Sequence, residues 1–164
     1  MLEYRARMLR FLDRTVEIAL GLLAVALIAT AFSQVIARYV VSRPFSWVLE
    51  LDVLLLVWAT LLSGYLGVRR GLHMAVDVLI ARWSVPQRRR ADIASHLLCI
   101  GFAAILVWKS FEVIEAMEGI PFASLTVGQP WLYWSLPVGG ALMLIALVDS
   151  LAWRLRAGLK PRER

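Results

Sequence analysis

Side chains able to do acid–base, nucleophilic or metal chemistry are few in this sequence, and their spacing excludes most of that chemistry. There are two histidines, His73 and His96, and one cysteine, Cys99. A single cysteine excludes an internal disulfide and any thiol–disulfide couple within the chain. Haem held between two histidines needs a suitable pair on facing helices. His73 falls on a segment that reads as a surface helix, so that pairing is not expected. No zinc-ligand spacing, glycine-rich phosphate loop or nucleophile motif occurs. His96 reads as a satisfied polar contact, and His73 with Asp77 as a local hydrogen bond across one helical turn. The expectation is a protein that is not an enzyme and carries no cofactor.

The carboxylates say more, because of where they stand. Glu17 opens one apolar block; Glu50 and Asp52 follow Trp47 at the start of another; Glu112, Glu115 and Glu118 close a third; Asp149 lies near the end of the fourth. An ionisable group inside an apolar span is a functional candidate by default. Lys109, Glu112 and Glu115 follow at steps of three, so they line one helix face and can pair as a solvated helix end. Glu17 is the carboxylate that a small, dimeric four-helix exporter would use, and this is the alternative reading. Its place one turn from Arg14, close to the inner surface, speaks against it. A membrane redox enzyme would need cysteine or histidine pairs that the sequence lacks.

The elements that position these groups follow from composition. The 164 residues are 60% hydrophobic and 18% charged, against about 45–50% and about 25% for a soluble domain. The excess lies in four blocks, about 16–37, 47–68, 93–111 and 131–153. Each approaches or exceeds the roughly 20 residues that cross a hydrocarbon core of about 30 Å. The fold class is therefore all-α: an integral membrane protein with four transmembrane helices in a single membrane domain, residues 1–164. Ala29-Thr30-Ala31 resembles a signal cleavage site, but the apolar run continues to Ala37, longer than a signal core, so an uncleaved first helix is expected.

Local signals set the ends. Pro44 precedes Ser46, a good N-cap for a helix beginning at Trp47. Glu50 and Asp52 then suit the positive end of the helix dipole. Ser84-Val85-Pro86 opens the third helix, with Pro86 in a first turn. Trp131, Tyr133 and Trp134 form an interfacial belt, and Pro137 with Gly139-Gly140 is expected to bend or loosen the last helix. Between the second and third blocks, Leu72, Ala75, Val76, Leu79, Ile80 and Trp83 share one helical face. Too short to span, this stretch (about 72–83) reads as an amphipathic helix lying on the membrane surface.

Basic residues give the orientation. Residues 1–15 hold four, 69–92 six and the C-terminal segment five; 38–46 holds two and 119–130 none. The positive-inside rule puts both termini in the cytoplasm. The net charge of +6 is then explained by topology and anionic lipid, and nucleic acid is not an expected partner.

An ordered set of motifs carries a family resemblance over about residues 14–153. It comprises Arg38-Tyr39; Arg43-Pro44-Phe45-Ser46-Trp47 with Glu50; Trp58 and Gly64; Arg69-Arg70-Gly71-Leu72-His73 with Asp77; Pro86 before a basic cluster; and Leu136-Pro137-Val138-Gly139. The chain resembles the small permease (DctQ-type) subunit of tripartite ATP-independent periplasmic (TRAP) transporters. Where that family commonly has paired acids after the tryptophan, this chain has Glu50 and then Asp52. The resemblance implies a bacterial inner-membrane scaffold beside a much larger permease subunit that carries the substrate and sodium sites. It also implies a periplasmic binding protein that delivers the substrate, commonly an organic acid. On that reading the partner interface is expected on the first two helices, at Gln34, Arg38, Trp47, Glu50, Ser63, Gly64 and Gly67. Membrane lipids are expected at Arg69, Arg70, Trp83, Arg88 and Arg89. The acidic surface of Glu112, Glu115 and Glu118 is expected to face the periplasmic protein.

Overall fold

In hydrocarbon, backbone amides must be satisfied within the chain, so apolar blocks of this length become helices. A computed structural model describes residues 2–43, 45–71 and 84–156. It contains α1 (Leu2–Tyr39), α2 (Ser46–Arg69), α3 (Val85–Ala116), the single turn α4 (Pro130–Tyr133) and α5 (Ser135–Arg156). Among the described residues four stretches are long and apolar enough to cross a membrane: Arg7–Tyr39, Ser46–Arg69, Arg90–Ala116 and Pro130–Ala152, the last taking in α4 and most of α5. The fold class expected from composition therefore holds. α1 is 38 residues long, about 57 Å at 1.5 Å per residue, so it outruns the hydrocarbon core and carries the basic N-terminal turns on the same rod. The expected surface helix at about 72–83, with His73, Asp77 and Trp83, lies outside the described residues.

The helix ends differ from expectation in two places. α2 begins at Ser46 with Phe45 in the cap position, and no side chain caps it. The Phe45 N–H is instead bound by the Gln34 side chain of α1. At the last span, the chain breaks between α4 and α5, so Pro137 falls in the first turn of α5, where a missing N–H costs least. α3 opens as expected, with Pro86 in its first turn and the Gln87 Oε1 accepting from the Ser84 N–H at 3.1 Å and the Ser84 hydroxyl at 2.8 Å. α2 closes on Gly71, whose φ of +68° is the left-handed conformation glycine adopts without a Cβ penalty.

The helices pack in the order α1, α2, α5, α3. α2 and α5 are central; α1 and α3 flank them and, among the described residues, do not pack on each other. This is an open row rather than a closed bundle. Its core lies toward the end where α1 starts and α5 finishes, the inner end expected from the basic residues, and there Val16 of α1, Leu62, Tyr65 and Leu66 of α2 and Ala146 of α5 are buried together. Glycines make the central contacts close. A Cβ on Gly139 would stand 2.6 Å from the Leu61 Cβ, and one on Gly140 would stand 2.7 Å from the Val107 Cγ2. Gly64 of α2 lies against Met143 of α5. The Gly139-Gly140 pair thus seats α5 between α2 and α3, as small residues do where membrane helices approach.

Candidate functional site

Two polar clamps, one at each end of the row, gather most of the functional side chains. The outer clamp is built on Glu50. From the second turn of α2 its carboxylate reaches the loop between α3 and α4. The Ala123 N–H donates to Oε1 at 3.0 Å, and the Ser124 and Leu125 N–H groups donate to Oε2 at 2.9 and 3.0 Å. Three successive amides turned to one anion form a nest. The loop is shaped to offer them: the Phe122 N–H donates to the Val127 carbonyl at 3.3 Å, the Gln129 N–H donates to the Ile120 carbonyl at 2.9 Å, and Pro121 pairs with Gly128. Nearby, the Gln34 amide donates from Nε2 to the Phe45 carbonyl and accepts the Phe45 N–H at Oε1, both at 3.1 Å. That bidentate bond fixes the α1–α2 connection. The Trp58 indole N–H donates to the Trp131 carbonyl at 3.0 Å, tying α2 to α4. Trp47 stacks obliquely on Phe45, with ring centroids 5.8 Å apart. Lower on the α1–α2 seam, the Thr30 hydroxyl donates to Asp52.

The inner clamp is built on Arg69. Its guanidinium donates from Nε and Nη2 to Asp13 of α1 at 3.0 and 2.8 Å, and from Nη1 to Asp149 of α5 at 3.1 Å. The Tyr65 hydroxyl donates to the same Asp13 at 2.7 Å. The fork geometry of arginine suits two carboxylates on different helices, as a lysine point charge would not. Beside it, Arg70 pairs with Glu17 at 2.7 Å. His96 of α3 lies 2.9 Å from the Asp92 carbonyl by Nδ1 and 3.4 Å from the Ser150 hydroxyl of α5 by Nε2. An apolar groove of about 410 Å³ opens between the inner ends of α1 and α5, lined by Met8, Leu9, Leu144, Ile145 and Val148, with Asp149 at its edge.

The structure thus gathers Gln34, Trp47 and Glu50 at one corner. Gly64 is engaged within the chain, while Ser63 and Gly67 face outward, with open space where a Gly67 Cβ would stand. Arg38 is exposed. Arg69 and Arg70, expected at lipid, bind carboxylates of α1 and α5. Arg88 and Arg89 fall in the first turns of α3, and their side chains lie outside the described residues. Lys109 pairs with Glu112 at 2.6 Å and sits 5.0 Å over the Trp108 ring; Glu115 and Glu118 are exposed. Asp13, Thr30 and Tyr65 were missed by sequence reasoning. The signal that could have found the inner clamp is depth: Asp13, Arg69 and Asp149 all stand at the inner ends of their spans. Among the described residues no three His, Cys, Asp or Glu side chains gather as a metal site requires.

Four apolar spans in an open row, braced by one polar clamp at each end, define a small α-helical multi-pass membrane protein. The chain belongs to the DctQ component family of the tripartite ATP-independent periplasmic transporters, whose family model matches residues 27–157. It is a TRAP-type small permease subunit, a multi-pass protein of the bacterial inner membrane. It is 25% identical over 177 residues to the C4-dicarboxylate TRAP transporter small permease protein DctQ of Vibrio cholerae, covering 93% of this chain and 76% of that one. It is 25% identical over 150 residues to the sialic acid TRAP transporter small permease protein SiaQ of the same organism, covering 88% and 84%. It is also 25% identical over 166 residues to the isethionate TRAP transporter permease protein DctMQ of Oleidesulfovibrio alaskensis, covering 94% of this chain and 26% of that one. Other C4-dicarboxylate relatives are longer, the chain spanning 57% and 52% of their lengths.

Proposed function

We propose that this chain is a non-catalytic scaffold that holds the large permease subunit of a TRAP transporter in the bilayer. The assembled transporter takes up an organic acid, with sodium, from a periplasmic binding protein. The observation that carries the scaffold reading is the disposition of the polar groups. Glu50, Asp13, Asp149, Glu17 and Gln34 brace the chain's own helices at their two ends, and Asp52 bonds Thr30 across the α1–α2 seam. Groups committed to bracing are poorly placed to pass a solute. What the row leaves uncovered is apolar side wall: on α1, Phe11, Ile18, Val25, Phe32 and Tyr39 recur every seven residues, all exposed. Walls of this kind suit lipid and lateral partners.

The isethionate relative, whose length is about four times the part matched here, supports partnership: there a chain of this kind is continuous with a far larger membrane protein. The relatives' names span C4-dicarboxylates, sialic acid and isethionate, all organic acids, which supports the substrate class. The interface with the large subunit falls on α1 and α2, with Arg38, Trp47, Ser63 and Gly67 outward on those helices; Gln34, Glu50 and Gly64 shape that surface from behind. Glu115 and Glu118, with the Lys109–Glu112 pair, present the outer end of α3 to the periplasmic protein. The test is reconstitution in liposomes of the large permease with and without this chain, supplied with the binding protein and a candidate acid. Sodium-dependent uptake only when all three are present supports the reading; equal uptake without this chain overturns it.

A further inference from the structure

Asp52 is an acid of the central helix α2 that neither clamp engages. It lies in the second turn of α2, within the second apolar span and about 9 Å along the helix from Ser46 at 1.5 Å per residue. Glu50 has three amide donors, Asp13 has a guanidinium and a phenol, and Glu17 has Arg70. Asp52 has the Thr30 hydroxyl. That hydroxyl has one hydrogen, and it also lies 2.9 Å from the Ala26 carbonyl and 3.1 Å from the Leu27 carbonyl. Three acceptors compete for a single proton. Among the described residues no basic side chain pairs with Asp52. Around it on α2, Leu49, Val53 and Leu56 are 62%, 50% and 57% exposed. An under-bonded carboxyl ringed by uncovered aliphatic side chains has the make-up of an interface centre, and charged groups within spans pair with one another. Lipid tails offer neither a donor nor a cation.

We infer that the outward face of α2 at Leu49, Val53 and Leu56, with the half-buried Asp52 at its edge on the α1 seam, docks a transmembrane helix of the large permease subunit that presents a lysine or arginine to Asp52. The inference rests on the scaffold reading and adds to it a face, a depth and a charge. The cation satisfies the acid, and the three aliphatic side chains exclude water and lipid around the pair.

The experiment uses the full tagged chain co-expressed with the large subunit. A photo-crosslinking amino acid is placed in turn at Leu49, Val53 and Leu56, and at Phe102 and Ile105 on the exposed face of α3. Recovery of the large subunit and the melting temperature of the small one are measured for Asp52→Asn, Asp52→Glu and Thr30→Val. Crosslinks to the large subunit are expected from the α2 positions and not from α3. Asp52→Asn, which keeps the acceptor and loses the charge, lowers recovery at least tenfold with the melting temperature unchanged. Asp52→Glu and Thr30→Val stay within about threefold of wild type. Full recovery with Asp52→Asn overturns the inference. So do crosslinks confined to α3, or crosslinks from α2 only to a second copy of this chain or to lipid; these leave the scaffold reading standing if the large subunit is still recovered. If the wild-type chain recovers no larger membrane protein at all, the scaffold reading itself fails.

Discussion

At the scale of single residues, the carboxylates near the start of α2 show how little a helical position reveals about a partner. Glu50 is well placed for the dipole of its own helix, and sequence reasoning stopped there. Its partners are amides 73 to 75 residues away, in a loop whose form no local pattern encodes. Hydrogen bonds to a charged group contribute about 1.5–3 kcal/mol, less where solvent reaches them. Glu50→Ala should therefore release the loop: hydrogen exchange at Ala123, Ser124 and Leu125 should quicken at least tenfold, with Glu50→Gln between the two. Unchanged exchange in Glu50→Ala would mean that the loop holds itself. Gln34 makes the same point. It was legible as a polar group that faces protein, but its target is the Phe45 backbone, one residue ahead of the Ser46 expected to cap α2.

At the scale of elements, the four spans were legible because hydrocarbon leaves an apolar block of that length no alternative to a helix. Their order in the row was not, since in lipid an apolar face is equally content against tails or against another helix. The Gly139-Gly140 pair was legible only, with Pro137, as a bend or loosening of the last helix; its close contacts on both sides were not. A methyl at Gly139 collides with α2 and one at Gly140 with α3. Gly139→Ala and Gly140→Ala should each destabilise the purified protein by about 1–3 kcal/mol, seen as a lower melting temperature in detergent. Gly101→Ala, where nothing lies within 4 Å, should be neutral or stabilising by up to about 1 kcal/mol. The reverse ranking would refute the packing of α5 between α2 and α3. The inner clamp belongs to this scale as well, because it joins three helices. Arg69→Ala leaves Asp13 and Asp149 without their shared cation and should cost on the order of 2 kcal/mol. Arg69→Lys should recover only part of that, since one ammonium cannot fork between two helices. Equal melting of Arg69→Ala and wild type would show the clamp to be incidental.

At the scale of the whole molecule, the described chain is an open row of helices with uncovered apolar walls. Its polar groups are mostly committed at the two ends, its glycines draw the central helices together, and large apolar side chains stand exposed along α1, α2 and α3. The orientation expected for the chain rests on a count of basic residues. Which wall meets which neighbour was not legible in the sequence, because apolar side chains look alike whether they meet lipid or protein. The measurement that tests the central claim most directly is quantitative recovery from native membranes in mild detergent, using a tag on this chain and mass spectrometry of what accompanies it. A much larger polytopic membrane protein in fixed molar ratio is the predicted result. Recovery of this chain alone, as a stable self-dimer, would contradict the account and return Glu17 to the centre of the problem.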